Sequence, residues 1–126
     1  MKTKIDYGLQ FLLGLAFLVF GLNKFIGFMA PPDLPPAAGA FMGALAETGY
    51  MLPLIGLTEA VTGALLLARF RSSLALVLLV PVALNIVLFH LFLAPAGGVP
   101  AYLLTAILVY LLFQYLPQYR QLLKGR

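Results

Sequence analysis

The second half of the chain contains one long uncharged run, SSLALVLLVPVALNIVLFHLFLAPAGGVPAYLLTAILVYLLFQYLPQY, at residues 72–119. A membrane-spanning helix needs about 20 apolar residues, so the run has room for two. The Pro- and Gly-rich residues 94–100 divide it. This pattern predicts spans at about residues 74–93 and 101–116, and with them an integral membrane protein.

Two further apolar segments come earlier, at about residues 8–28 and 51–68. The first is too long for the apolar core of a signal peptide, so we expect it to be retained as a span. Apolar residues make up 63% of the chain and charged residues only 10%, whereas a soluble domain is about half apolar. We therefore predict an all-α fold in which residues 1–126 form one integral membrane four-helix bundle.

The longest predicted loop, at about residues 29–50, changes character along its length. Four prolines stiffen its first part, and residues 37–48 then place Phe41, Met42 and Leu45 at helical spacing. We expect a short interfacial helix on the outer surface of the bundle. Such a helix either caps the bundle or gates the access of a substrate.

Basic residues flank the predicted spans unevenly. They precede the first span, fill the short turn between the second and third spans, and follow the fourth span: Lys2, Lys4, Arg69, Arg71, Arg120, Lys124 and Arg126. The two other loops contain no Lys or Arg. The positive-inside rule therefore predicts a multi-pass protein of the inner (plasma) membrane with both termini in the cytoplasm.

The net charge of +4 does not indicate a nucleic-acid partner, because the basic residues are scattered between apolar runs rather than gathered on one polar face. The predicted partners are the lipid bilayer, and either a membrane or peripheral protein or further copies of this chain.

Few polar side chains fall inside the predicted spans, and their depths match in pairs. At a rise of about 1.5 Å per residue from the cytoplasmic side, Lys24 and His90 lie at about 24 Å, and Glu59 and Asn85 at about 15–16 Å. Polar groups are expensive in hydrocarbon, so these four are the first candidates for function.

Glycines accompany the two charged residues on their helices. Gly21 shares a face with Lys24, and Gly56 and Gly63 share a face with Glu59. Small residues let neighbouring helices approach closely, so we expect both faces to point into the bundle. Lys24 can turn up to the outer interface or down to Glu59. We expect the pair with Glu59, since no other cationic side chain is near that carboxylate.

The candidate roles follow from the chemistry of each group. Glu59 and His90 are the candidate catalytic residues, because both can move protons. Asn23, Lys24, Asn85 and His90 are the candidate cofactor-binding residues, because they can hydrogen-bond carbonyl oxygens. Each also has a structural interpretation: the ion pair sets helix register, the asparagine joins helices, and the histidine is satisfied within the bundle.

Residue usage limits the cofactors. The chain has no cysteine and one histidine, which excludes disulfides, iron–sulfur ligation and a haem held by two histidines. We expect no metal or haem from this chain alone. A quinone is compatible with it, since a quinone needs an apolar slot and a few hydrogen-bonding groups.

Three features together resemble the DoxX family: GLAFLVFGLNKF at residues 14–25, EAVTGALLL at residues 59–67 closing on Arg69, and the histidine of the third span, His90. The resemblance covers most of the chain and implies a four-helix membrane bundle. Five residues match positions characteristic of the family: Gly21, Lys24, Glu59, Gly63 and His90. The wider group includes the small membrane subunit of a thiosulfate:quinone oxidoreductase and eukaryotic assembly factors, and no family-wide catalytic assignment accompanies these positions.

Three functions follow as hypotheses. The first is a membrane subunit of a quinone-linked oxidoreductase complex, with the outer polar cluster holding the quinone headgroup. The second is a non-enzymatic membrane scaffold or assembly factor whose outer loop binds a partner. The third, a small-solute carrier, is weaker because one four-span chain would have to dimerise to form inverted repeats.

Overall fold

The computed structural model describes residues 3–27 and 33–124. This part of the chain forms six helices and no strand: α1 (Lys4–Ile26), α2 (Pro36–Glu47), α3 (Met51–Ala68), α4 (Ser72–Phe92), α5 (Val99–Gln114) and α6 (Leu116–Lys124). The predicted all-helical class is confirmed. The end of the predicted first span at residue 28, the first two of the four loop prolines, and the terminal Lys2 and Arg126 lie outside the described residues.

Local sequence explains where α1 begins and ends. It starts earlier than the predicted residue 8 because Thr3 and Asp6 form a capping box, in which each side chain accepts a hydrogen bond from the other's backbone N–H. It ends at Gly27, whose φ of 72° is a left-handed conformation that glycine adopts readily. The loop helix, predicted over residues 37–48, is found at Pro36–Glu47.

The helix α6 was not predicted from the sequence. It begins beside Pro117, is bent by 59° from α5, and leaves Leu122 and Leu123 77% and 87% exposed. Proline disrupts the interior of a helix but is well tolerated in its first turn, so Pro117 stops α5 from continuing and fits the start of α6. The prediction of one short fourth span, ending at about residue 116, left this second, amphipathic helix out.

Within the described residues, three helices are long and apolar enough to cross a membrane, namely α1, α3 and α4. The helix α5 has 16 residues and reaches span length only if it counts together with α6 as one bent span. Large apolar side chains also face outward along these helices, including Phe11, Leu57, Leu84 and Leu103, each more than half exposed. Helices with apolar outer faces identify a membrane protein with three spans, or four if the bent pair is one.

The tightest packing joins α1 to α3. Gly14 meets Gly63 and Gly21 meets Gly56, so the two helices run antiparallel. A Cβ atom added at Gly21 would lie 2.4 Å from the Ala60 backbone nitrogen, and one at Gly63 would lie 2.5 Å from that of Leu18. The predicted close approach at Gly21, Gly56 and Gly63 is therefore confirmed.

The remaining packing connects neighbouring helices in chain order. α3 packs on α4, α4 on α5, and α5 returns to α1. We call the end that carries Lys4, Arg69, Arg71, Arg120 and Lys124 the basic end, and the end that carries residues 33–50 and 93–98 the loop end. The Arg69–Arg71 turn is tight, since both arginines adopt positive φ. Lys24 is the one basic residue of the described ranges that lies away from the basic end.

A buried polar network holds the basic end together. The Tyr110 hydroxyl donates to Asp6 Oδ1 at 2.6 Å, and the Tyr115 hydroxyl donates to Gln10 Oε1 at 2.9 Å. The Gln10 amide donates in turn to Ser72 Oγ at 2.7 Å. Asp6 and Gln10 are 2% and 1% exposed, so these bonds satisfy groups that burial would otherwise destabilise.

Tyr119 extends this anchoring to α6. Its hydroxyl donates to the Ser73 carbonyl oxygen at 2.8 Å. The start of α6 is thereby fixed against the start of α4.

Candidate functional site

Lys24 and Glu59 form an ion pair between α1 and α3. The Lys24 Nζ atom lies 2.7 Å from Glu59 Oε1, with side chains that are 23% and 1% exposed. The pair forms because Gly21 and Gly56 bring the two backbones together one turn away from the charges. The predicted pairing is confirmed, and the buried carboxylate has its counter-ion.

A cavity of about 400 Å³ lies beside this pair, enclosed by α2, α3, α4 and the end of α1. We call it the larger cavity, because the same ion pair also lines a second, smaller one. Ten of its fourteen lining residues are apolar, and the polar ones are Lys24, Glu59, Asn85 and His90. An apolar slot with a few polar groups is the usual composition of a small-molecule site.

A smaller cavity of about 200 Å³ lies among α1, α4 and α5. Its polar lining residues are Lys24, Glu59, His90 and Thr105. Lys24, Glu59, Ile86 and His90 line both cavities, and we call these four residues the shared wall. The three titratable side chains of this wall can therefore act on the contents of either cavity.

His90 is held by the end of its own helix. Its Nδ1 atom lies 3.2 Å from the carbonyl oxygen of Ala94. A carbonyl oxygen only accepts, so this contact is a hydrogen bond when Nδ1 carries the proton. The neutral ring then has its lone pair on Nε2, which makes His90 a hydrogen-bond acceptor within the shared wall.

The two asparagines differ in position. Asn85 lines the larger cavity, and no hydrogen bond from its side chain to another described residue is found. Asn23 lines neither cavity, although it neighbours Lys24 in sequence, because consecutive helical residues point about 100° apart. The structure therefore brings together Lys24, Asn85 and His90 of the predicted cofactor-binding set, with Glu59, and leaves Asn23 apart.

The helix α2 covers the larger cavity. Phe41, Met42 and Leu45 line the cavity from above, and the Phe41 ring lies 5.6 Å from the Phe89 ring. On the outward side of α2, a Cβ atom added at Gly39 or Gly43 would meet nothing within 4 Å. The helical spacing noted in the sequence thus marks the cavity-facing side of α2.

Sequence reasoning missed Thr105 as a site residue. Thr105 drew no attention because an isolated threonine within a span commonly bonds to its own helix backbone. The only signal in the sequence was its distance of about one and a half helical turns from Pro100. That distance places Thr105 at the depth of the shared wall. In the described residues, no group of three or more His, Asp or Glu side chains is arranged to hold a metal ion.

Comparison with known proteins finds no matching family model, no matching curated protein and no matching solved structure. The resemblance to the DoxX family therefore stays a prediction from the sequence motifs.

Proposed function

We propose that this chain is a four-helix membrane bundle that binds a quinone headgroup in the larger cavity, as the membrane subunit of a quinone-linked oxidoreductase complex. One observation carries the proposal: an apolar cavity between membrane-spanning helices has its polar groups gathered around one buried ion pair. A quinone has the matching polarity, with a polar ring and an apolar tail.

The size and lining of the cavity support this choice of ligand. Its volume of about 400 Å³ lies in the range of about 300–1,000 Å³ typical of small-molecule sites. Phe41 and Phe89 offer flat apolar surfaces for a ring. We place the exit of the isoprenoid tail between α2 and α4, whose side chains line the cavity.

The residues of the shared wall have complementary roles. Lys24 Nζ can donate to a carbonyl oxygen, and His90 Nε2 can accept from a hydroxyl. Glu59 keeps Lys24 oriented and can take up a proton when the ion pair rearranges. A bound quinone supplies exchange of two electrons and two protons, and a partner subunit with a redox centre is the electron donor or acceptor.

The charge distribution supports an orientation for this subunit. All described basic residues except Lys24 lie at the basic end, which the positive-inside rule assigns to the cytoplasm. The quinone site then lies in the outer half of the membrane, beneath α2. The DoxX resemblance fits this arrangement, since Lys24, Glu59 and His90 are among its matching positions.

Tryptophan fluorescence tests the ligand site directly, because the natural chain has no tryptophan. The Phe41→Trp variant places a reporter in the lining of the larger cavity, and Phe113→Trp places a matched reporter on the exposed side of α5. A short-chain quinone should quench the first variant in a saturable manner. It should quench the second only linearly, as it partitions into the micelle. Linear quenching of both would refute the proposal.

The scaffold hypothesis predicts a different pattern. A partner that docks on the loop helix must contact its outward side, where Ala40 and Ala44 are exposed. Substitution of these alanines by glutamate should then abolish partner assembly, and the parent Phe41→Trp variant should show no saturable quenching by quinone. Phe41 and Leu45 are unsuitable for this test, because they line the cavity.

A further inference from the structure

We infer that the smaller cavity is a hydrated chamber that connects Lys24, Glu59 and His90 with the aqueous phase at the loop end. The inferred hydration stands on the geometry of the cavity alone. The use of the chamber as the proton route for quinone chemistry rests on the function proposed above.

The lining of the smaller cavity is suited to water. Four polar side chains surround about 200 Å³, namely Lys24, Glu59, His90 and Thr105. A buried water molecule needs about 10–15 Å³ of accessible volume and two to four polar partners. The cavity offers room for several water molecules, whereas a cavity lined only by apolar groups stays dry.

The position of the cavity indicates its opening. Gly97, Pro100 and Ala101 form part of the lining. Gly97 belongs to the break between α4 and α5 at the loop end, and Pro100 and Ala101 lie in the first turn of α5. Gly97 adopts a φ of 84°, a turn conformation, so no helix closes the chamber at this point. In the other direction, the buried side chains Phe17 and Ala83 lie between the chamber and the basic end.

The two cavities therefore have different roles on either side of the shared wall. The larger cavity has room for an organic ring, and the smaller one gathers four polar side chains around half that volume, which suits water. A proton taken up by His90 or Glu59 on one side can pass to water on the other side without crossing the apolar slot. Thr105 is the polar group that α5 contributes to this route, as a residue that positions water.

Cysteine accessibility tests the chamber, because the natural chain has no cysteine. Thr105→Cys places a thiol in the chamber lining, and Ala106→Cys places one at nearly the same depth on the exposed, apolar side of α5. Both variants are reconstituted in lipid nanodiscs without quinone and treated with 2-aminoethyl methanethiosulfonate. The reagent reacts with the thiolate, which forms in water and not in hydrocarbon.

The Thr105→Cys variant should react at least about tenfold faster than the Ala106→Cys variant, because only the first thiol can ionise. Adding Ala101→Leu, which narrows the chamber near the loop end, should slow the reaction of the Thr105→Cys variant. Equal rates in the two cysteine variants, whether slow or fast, would overturn the inference. Since the assay contains no quinone, a dry chamber leaves the tryptophan test of the larger cavity untouched, and a failed tryptophan test leaves the hydration result standing.

Discussion

Lys24 Nζ and Glu59 Oε1 lie 2.7 Å apart across the interface of α1 and α3, at a point where two glycines let the helix backbones touch. This contact matters for the stability of the protein, because the Glu59 side chain is only 1% exposed. A lone charge there is strongly destabilising, and a paired charge is tolerated.

The ion pair predicts non-additive effects on stability. Lys24→Met alone should lower the free energy of unfolding by about 3–5 kcal/mol, because it leaves the buried Glu59 carboxylate uncompensated. Glu59→Leu alone should lower it less, because the Lys24 side chain is 23% exposed. The double variant should lose less than either single variant, which denaturation in detergent micelles can measure as a double-mutant cycle. Glu47→Leu, which removes an exposed carboxylate, is the control and should change little. Additive losses would show that the two residues do not interact.

The glycine contacts predict opposite effects of the same substitution within one helix. Gly21→Ala should destabilise the protein by about 1–3 kcal/mol or more, since its methyl group would overlap the backbone at Ala60. Gly8→Ala, also in α1, meets nothing within 4 Å and should stabilise the helix by about 0.5–1 kcal/mol. Thermal unfolding of both variants checks the pair. A tolerated Gly21→Ala would mean that α1 and α3 do not pack this closely.

The polar network at the basic end predicts that the Tyr110 hydroxyl contributes much more to stability than the Tyr50 hydroxyl does. Tyr110→Phe leaves the buried Asp6 carboxylate without its 2.6 Å donor and should cost about 1–3 kcal/mol. Tyr50→Phe removes an exposed hydroxyl at the loop end and should be nearly neutral. Comparison of the two denaturation midpoints decides the matter, and equal midpoints would contradict the network.

The asymmetry of charge predicts the topology. A reporter fused after the C-terminus should read as cytoplasmic, and one inserted at Asp33 as external. The same two fusions test whether α5 and α6 together provide a fourth crossing. An external C-terminal reporter would rule out the four-span arrangement.

The sequence predicted best what depends on periodicity and on single charged groups. The helical class, the ion pair and the packing of glycines followed from apolar runs and from two charges that each had one available partner. Lys24 and Glu59 could be paired from sequence because a buried charge in a membrane protein requires a counter-charge.

The polar network at the basic end and the role of Thr105 depend on tertiary contacts, which could not be predicted from the sequence. Nothing in the sequence distinguishes Asp6 and Gln10 from other polar residues near the start of a helix. Only the return of α5 to α1 places two tyrosine hydroxyls against them. Thr105 became a site residue for a similar reason, since its cavity forms only when α5 meets α1 and α4. Asn23 stays a prediction from the sequence, since it lines neither of the two cavities.

The most direct measurement of the central claim is the amount of quinone bound to the purified protein. Quinone extracted from the parent protein should approach one molecule per chain. His90→Asn keeps an N–H donor for the Ala94 carbonyl and removes the Nε2 acceptor, so this variant should stay folded and lose the quinone. His90→Phe loses the contact with Ala94 as well, and it should lose the quinone together with some stability. A parent protein that never carries quinone, or a His90→Asn variant that retains it at full occupancy, would contradict the account.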